Sequence, residues 1–441
     1  MSAPMKILII GGGFTGLTAA YKLSREPDFS VTLVERAGQL GGLAAGFPIC
    51  GTSLERTYHH LFLTDTAILD LVAELGLSEK LIWCKSSIGI FREGRIHSFK
   101  GPWDLLRFAP CRFAGRLRTG LTALYLKHQK DWRRFTRRTA LDWMAHACGA
   151  SAMESIWTPL LKGKFNRHFD RVSMAWLWAR IHARAHSRSS GGGEKLGYFR
   201  GGFNVVTAAL EKKLRENGVA IRTGAAVEKF LTDKRAVVIN GKTVLFDFCV
   251  FTGPSPAFAG LLPAQESLRP YTAQLRSIEY LGAVCLVFTS DQSLCDFYWV
   301  NVNELGAPFL VFLQHTNLMD KNFYGGRHVY YIGAYLTPEG KMFSLRDGEL
   351  ANLWFSYLKH MFPAFDAGRL DEQHVFRFRA AQHIVDTDYE KKIPAYRTPL
   401  PGVLLANFSQ IFPEDRGTNF AVREGVKVAG LILGDLRQQR A

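Results

Sequence analysis

The sequence predicts an α/β protein, a parallel-sheet domain with an α+β domain inserted into it, and three stretches of its 441 residues point there. Near the start, a β-branched run meets a triple glycine and then a helical stretch, the order of a βαβ unit. From about residue 76 to Arg188 the chain reads mostly helical, with Trp and Arg interleaved. Residues 278–380 read as a series of strands interrupted by one helix.

Taken in order, the strand at 6–10 leads through Gly11-Gly12-Gly13 into a helix over 14–24 and a second strand over 30–35. Residues 68–75 have helical spacing and stop at Gly76, a residue that enters the left-handed region without penalty and so ends helices. The Ser/Gly stretch 187–193 reads as a flexible domain junction. A helix over 204–217 follows, then strand-like runs at 219–222, 226–239 and 242–252, the last two joined by an Asn240-Gly241 hairpin turn. Strands at 280–288, 297–302, 309–314, 328–335 and 375–379, with a helix near 350–361, describe a largely antiparallel sheet. A strand at 403–406 and a helix over 419–433 close the chain.

Hydrophobic content of 47% and charged content of 21% are those of a folded globular chain, and the length suits two intertwined domains. Seven cysteines, odd in number and never spaced CxxC, argue against a disulfide framework or a zinc site and for a reducing, cytoplasmic setting. No signal peptide fits before the first strand, and no apolar run is long enough to span a bilayer. The formal charge of +16 is concentrated: from Lys80 to Arg200 there are 24 Lys or Arg against 7 Asp or Glu. A field this localised attracts anions, whether nucleic acid, lipid headgroups or a phosphorylated substrate.

Gly11-x-Gly13-x-x-Gly16 has the full setting of a dinucleotide fingerprint, with a strand before it, a helix after it and Glu35 closing the next strand. Gly11 permits the tight turn, Gly13 lets the backbone approach a pyrophosphate, and Gly16 lets the helix pack closely on the sheet. The helix N-terminus, at Phe14 and Thr15, offers free N–H groups to the phosphates, and Glu35 can accept the ribose hydroxyls. An ordinary βα turn would explain the glycines but not Glu35.

Glu35-Arg36 followed by Gly41-Gly42-Leu43, in the run ERAGQLGGLAAGF, resembles the ERxxxxGG signature of FAD enzymes of the amine oxidase superfamily. That superfamily includes protoporphyrinogen oxidase, phytoene desaturase-like enzymes and UDP-galactopyranose mutase. Residues 198–214 with the strand around Val227 resemble the family's second cofactor-contacting stretch, where the valine backbone is expected at the adenine. Residues 248–254 resemble its returning strand, and 404–429, containing PEDRGTNFAVREG, its flavin-contacting C-terminal helix. Trp157-Thr158-Pro159-Leu160 with Arg171-Val172-Ser173 resembles a helical landmark of protoporphyrinogen oxidase-like proteins. The resemblance implies FAD as cofactor and a discontinuous, Rossmann-like FAD-binding domain over 1–75, 197–260 and 398–441. The inserted substrate domain would comprise a helical basic part, 76–196, and an antiparallel-sheet part, 261–397. Two departures stand out. The C-terminal strand ends in Ala406-Asn407 where many members carry Gly and an acid, and the lysine many amine oxidases hold near flavin N5 has no assigned counterpart.

The run LERTYHHLFLTD, 54–65, follows the double glycine closely and is expected beside the flavin. His59 and His60 are the candidate proton-transfer groups, because imidazole titrates near neutrality. Adjacent on a strand, they point to opposite faces, so at most one faces the flavin. Arg56 is a candidate contact for the flavin or a substrate anion. The helix opened by Thr418 and Asn419 would aim its N–H groups at the flavin's pyrimidine carbonyls, although either residue is equally an ordinary N-cap.

The activity these features imply is hydride abstraction to flavin N5 from a lipophilic or anionic small molecule, porphyrinogen, isoprenoid or glycolipid-like. Two rivals stand beside it. Residues 58–62 also resemble a segment of UDP-galactopyranose mutase, a non-redox flavoenzyme of nucleotide sugars, and GDP-dissociation inhibitors share the fingerprint yet bind prenylated proteins without FAD. In the basic block Trp83, Phe91, Phe99, Trp103, Leu105, Leu106, Phe108, Phe113, Tyr125, Trp132 and Phe135 are interleaved with cations. That composition suits peripheral contact with a membrane at its cytoplasmic face through residues 83–138, rather than nucleic acid. A packed core under a charged exterior accounts for it somewhat better than either.

Overall fold

The computed structural model describes residues 3–187 and 194–440. Its first layer is a parallel sheet of Met5–Ile10 (β1), Phe29–Val34 (β2), Ala220–Arg222 (β9), Phe248–Phe251 (β13) and Val403–Leu405 (β19), in the order β19-β13-β1-β2-β9. Parallel strands are covered on both faces and read as continuous apolar runs, and Ile7, Ile9, Leu33 and Val250 are fully buried. On one face lie Phe14–Leu23 (α1), Asn204–Glu216 (α9) and the C-terminal helix Thr418–Arg440. On the other lies a meander of Val227–Leu231 (β10), Ala236–Ile239 (β11) and Lys242–Leu245 (β12). The expected turn is present, with Asn240 and Gly241 both at positive φ. The run expected as one strand over 226–239 is two strands, because the polar stretch Thr232-Asp233-Lys234 turns the chain before Arg235.

A mixed sheet forms the second layer, from Ile88–Arg92 (β6), Arg95–Ser98 (β7), Tyr280–Ser290 (β14), Trp299–Val302 (β15), Val311–Gln314 (β16), His328–Leu336 (β17) and Leu370–His383 (β18). Its order is β18-β14-β17-β16-β15-β6-β7, antiparallel except where β6 meets β15. On its far side a helix, Asp347–Met361, packs Trp354 against Phe309 and Phe355 against Phe288. The block expected to be helical therefore begins with strands, since Leu81–Lys85 (β5) also pairs with Lys195–Phe199 (β8). The aromatic and β-branched residues around a Glu93-Gly94 turn, both at positive φ, make β6 and β7 a hairpin; the interleaved arginines masked that alternation in the sequence.

A hairpin of Gly46–Ile49 (β3) and Thr52–Glu55 (β4) leads to Thr66–Glu74 (α2), which ends at Gly76 as expected. The rest of the inserted block is helical: Pro102–Arg107 (α3), Phe113–His128 (α4), Ala140–Cys148 (α5), Ala150–Ala152 (α6), Thr158–Phe165 (α7) and Met174–His186 (α8), around Met144, Phe165 and Trp176. Residues 188–193, most of the expected junction, lie outside the described residues. No described helix is long and apolar enough to cross a membrane.

Candidate cofactor and active site

The glycines of the first turn do different work. Gly11 has φ +111° and its amide donates to the Val34 carbonyl at 2.8 Å. A Cβ on Gly16 would overlap the Gly11 carbonyl oxygen, so α1 can start this close to β1 only with glycine there. A Cβ on Gly13, in contrast, would meet nothing nearer than the Gly42 Cα at 3.8 Å. Protein packing does not demand glycine at 13; the space above it is left for a ligand. No side chain caps the first turn of α1 and no acid lies in it, so the N–H groups at Phe14 and Thr15 remain available to an anion. The Phe14 ring itself is buried in the core.

The other expected cofactor residues gather around this turn. Gly41 and Gly13 form a parallel bridge, the Gly41 amide donating to the Gly12 carbonyl at 2.8 Å. Glu35 accepts the Gly12 and Ala37 amides, each at 2.7 Å and on different oxygens, which aims the carboxylate at the turn and leaves lone pairs for hydroxyl donors. Arg36 is exposed. The segment ahead of Val227 runs beside Glu35, with the Ala225 amide on the Glu35 carbonyl (3.0 Å) and the Gly224 amide on the Ala37 carbonyl (2.8 Å). The Leu43 carbonyl accepts Thr57 Oγ1 at 3.1 Å, and Arg56 has a buried Nε with no partner. Thr418 and Asn419 open the C-terminal helix, but the Asn419 side-chain oxygen accepts the Ile68 amide at 3.2 Å and so caps α2. An uncapped helix start, an open Gly13, an acid aimed at the turn and an Arg56 Nε without a hydrogen-bond partner fit FAD.

His59 and His60 diverge, as neighbours on an extended segment must. His59 Nδ1 lies 2.8 Å from the Thr57 carbonyl, which makes it the protonated nitrogen, and its ring packs on Phe203. His60 Nδ1 meets Tyr298 Oη at 3.3 Å. Burial lowers His59 to about 4 and His60 to about 3, with neighbouring cations adding to both, so both are neutral at physiological pH.

Sequence reasoning missed the cluster beyond them. Lys164 from α7 and Arg180 from α8 converge on one oxygen of Asp415, at 3.0 and 2.8 Å. Arg416 Nη2 donates to Tyr335 Oη at 2.8 Å, and Lys164 Nζ lies 4.9 Å from the Tyr335 ring centroid. Three cations against one carboxylate leave a net positive, largely buried site where helical block, second sheet and C-terminal loop meet. Burial alone would raise both acids; the surrounding cations outweigh it, holding Asp415 well below the carboxylate range and Tyr335 below the ordinary phenol. Asp415 Oδ1, Arg416 Nε and both ring nitrogens of the fully buried His383 have no protein partner. Asp415 and Arg416 stand in the PEDRGTN run, and Lys164 follows the helical landmark at 157–160, but contacts across some 250 residues leave no local signal.

Glu55 was also missed. Its buried carboxylate accepts Tyr198 Oη at 2.6 Å and the Phe203 amide, and its carbonyl accepts Tyr331 Oη at 2.9 Å. It ties β4 to β8, to the start of α9 and to β17, and burial pushes it up to about 7.

Known proteins share this architecture. A coproporphyrinogen III oxidase of Staphylococcus aureus is 22% identical over 287 residues, 57% of this chain and 61% of that protein. A 4,4'-diapolycopen-4-al dehydrogenase of Metabacillus indicus is 25% identical over 303 residues, 61% of this chain and 60% of that protein. The chain thus spans about three fifths of the length of these curated relatives. In fold it is similar to a protein described as a protoporphyrinogen oxidase from Exiguobacterium sp. 255-15 (TM-score 0.78, 19% identity, 98% and 99% of the two chains). It is equally similar to reduced UDP-galactopyranose mutase (TM-score 0.78, 15% identity, 98% and 96%). The sequence model of the family described as flavin containing amine oxidoreductase matches residues 14–433. The chain belongs to that family, and FAD is its cofactor.

Proposed function

We propose that the protein is an FAD-dependent oxidoreductase that removes hydride from a lipophilic molecule carrying an acidic group, a porphyrinogen, isoprenoid or glycolipid-like compound. The observation that carries this reading is the buried, net-positive cluster of Lys164, Arg180 and Arg416, with unpartnered polar atoms, beside the loop that enters the C-terminal helix. FAD, when bound, supplies the two-electron acceptor. The residues proposed to hold it are Gly11, Gly13, Phe14, Thr15, Gly16, Glu35, Arg36, Gly41, Gly42, Leu43, Arg56, Val227, Thr418 and Asn419, several through backbone alone.

In this reading the cations receive the substrate's acidic group while Tyr58, Trp299 and Tyr335 supply the apolar wall. Where the reacting C–H adjoins an N–H, the proton released with the hydride is taken by the tyrosinate form of Tyr335, the form the surrounding cations favour, at its Oη. His59 and His60 act as neutral hydrogen-bond partners. The domain division put forward from the sequence is retained, as is work at a membrane surface through the block 83–138, which would present a lipophilic substrate. The test is anaerobic mixing with coproporphyrinogen III: bleaching of the flavin is expected, and raised KM in Lys164→Ala and Arg180→Ala. A second reading, a non-redox enzyme of nucleotide sugars, draws on the fold shared with UDP-galactopyranose mutase and on the same cations. It requires tight UDP binding and no bleaching by porphyrinogens or polyenes.

A further inference from the structure

Helix α4 is packed inside out. Its inward face carries Gly115, Thr119, Thr122 and Leu126, all buried. Its large apolar residues Phe113, Leu117, Leu121, Leu124 and Tyr125 point outward at 46–64% exposure. At 3.6 residues per turn, the first four of these fall within an arc of roughly 80°. A helix that is merely part of a globular domain turns such a stripe toward the core. Trp103, on the adjoining α3, is 73% exposed. The helix contains no Asp or Glu.

The surroundings are cationic. Residues 95–138 hold twelve Lys or Arg against two Asp. Arg116 and Arg118 donate to backbone carbonyls, of Cys111 and Leu106 and of Ala147 and His146, so their charge is positioned but not neutralised. The two aspartates serve locally: Asp104 accepts Ser98 Oγ and the Lys100 amide, and Asp131 caps the Arg133 amide. An apolar stripe with a cationic surround is complementary to one kind of surface, an anionic lipid leaflet, where side chains enter the acyl boundary and cations meet headgroups. Pairing two copies through this face would bring two uncompensated positive blocks together.

We propose that the outer face of α4, together with Trp103, is a docking surface for an anionic bilayer, with the helix lying in the plane of the interface. This narrows the block 83–138 considerably: Phe91, Phe108 and Phe135 are buried in the protein core, and Leu105 packs against it. The inner side of α4 rests on α8, which carries Arg180 to the cation cluster, so the surface backs directly onto the proposed substrate site. The proposal rests on the oxidoreductase reading only for its use, delivery of a lipophilic acid.

The experiment is co-sedimentation of the FAD-loaded full chain with phosphatidylcholine vesicles, with and without phosphatidylglycerol. Binding is expected to the anionic vesicles alone, and to weaken with salt. The triple variant Leu117→Ser, Leu121→Ser, Leu124→Ser should bind at least roughly tenfold more weakly at low salt, since apolar insertion supplies part of the affinity. Its flavin content and melting temperature should match those of the parent, because all three side chains are exposed. Undiminished binding by the triple variant overturns the proposal, as does a concentration-dependent dimer that the variant abolishes, which would assign the face to a second copy. Vesicle binding and flavin bleaching are read separately. A protein bleached by porphyrinogen that ignores vesicles overturns the docking surface alone; one that binds vesicles but is never bleached overturns the oxidase reading alone.

Discussion

At Glu35 and Glu55 two carboxylates of similar standing in the sequence meet opposite environments. Glu35 is held by two backbone amides at the edge of the dinucleotide turn, with acceptor capacity to spare. Glu35→Ala should weaken FAD binding by about 1–3 kcal/mol, the scale of hydrogen bonds to a charged acceptor; a fluorescence titration of the apoprotein measures it. Glu55 is buried without a cation, and its folded value of about 7 lies above the ordinary 4.5. A raised folded value means the protonated form is the one the fold prefers. Its contribution is therefore fully present below about 4.5 and lost as pH rises through about 7, on the order of 3 kcal/mol in all. Glu55→Gln should melt with a flatter pH dependence than the parent between pH 5 and 8. Parallel curves for the two proteins would show that Glu55 does not titrate there. Neighbouring buried histidines act in the opposite sense at low pH, which is why the difference between the two proteins is the quantity to compare.

Among the elements, α1 and the C-terminal helix are joined where Gly425 faces Thr15 and Thr18. A Cβ at 425 would lie 2.6 Å from the Thr15 carbonyl oxygen and 2.7 Å from Thr18 Cβ. Gly425→Ala should push the two helices apart, costing about 1–3 kcal/mol of stability as overpacking does, and loosen the cofactor at both its ends. A lower melting temperature with faster FAD release would show it; an unchanged protein would mean the helices separate freely. What could be read from the sequence divides along this line of locality. The turn at 11–16, the Asn240-Gly241 hairpin and the Gly76 stop were legible because their geometry is set within a few residues. The β6–β7 hairpin was not, since basic residues on one face of the strands concealed the alternation. The outward face of α4 was not read from the sequence, because periodicity cannot tell which side of a helix has a neighbour. The Asn419 cap on α2 and the Lys164–Asp415 contact depend on tertiary structure, and no local pattern encodes either.

For the whole molecule, the dinucleotide sheet is assembled from chain segments near 5–34, 220–251 and 403–405, and the inserted parts meet it at the cation cluster. That arrangement places the proposed chemistry at the seam, the helix proposed to meet lipid on the far side of α8, and the proposed nucleotide end of the FAD site at the first turn. Everything downstream depends on the cofactor occupying the space above Gly13, where a side chain would touch no protein atom closely. The direct measurement is the flavin-to-protein ratio after gel filtration of the parent chain and of Gly13→Val, with circular dichroism to establish that both are folded. A ratio near one is expected for the parent and near zero for a folded Gly13→Val. A folded variant that keeps a near-normal ratio would contradict this.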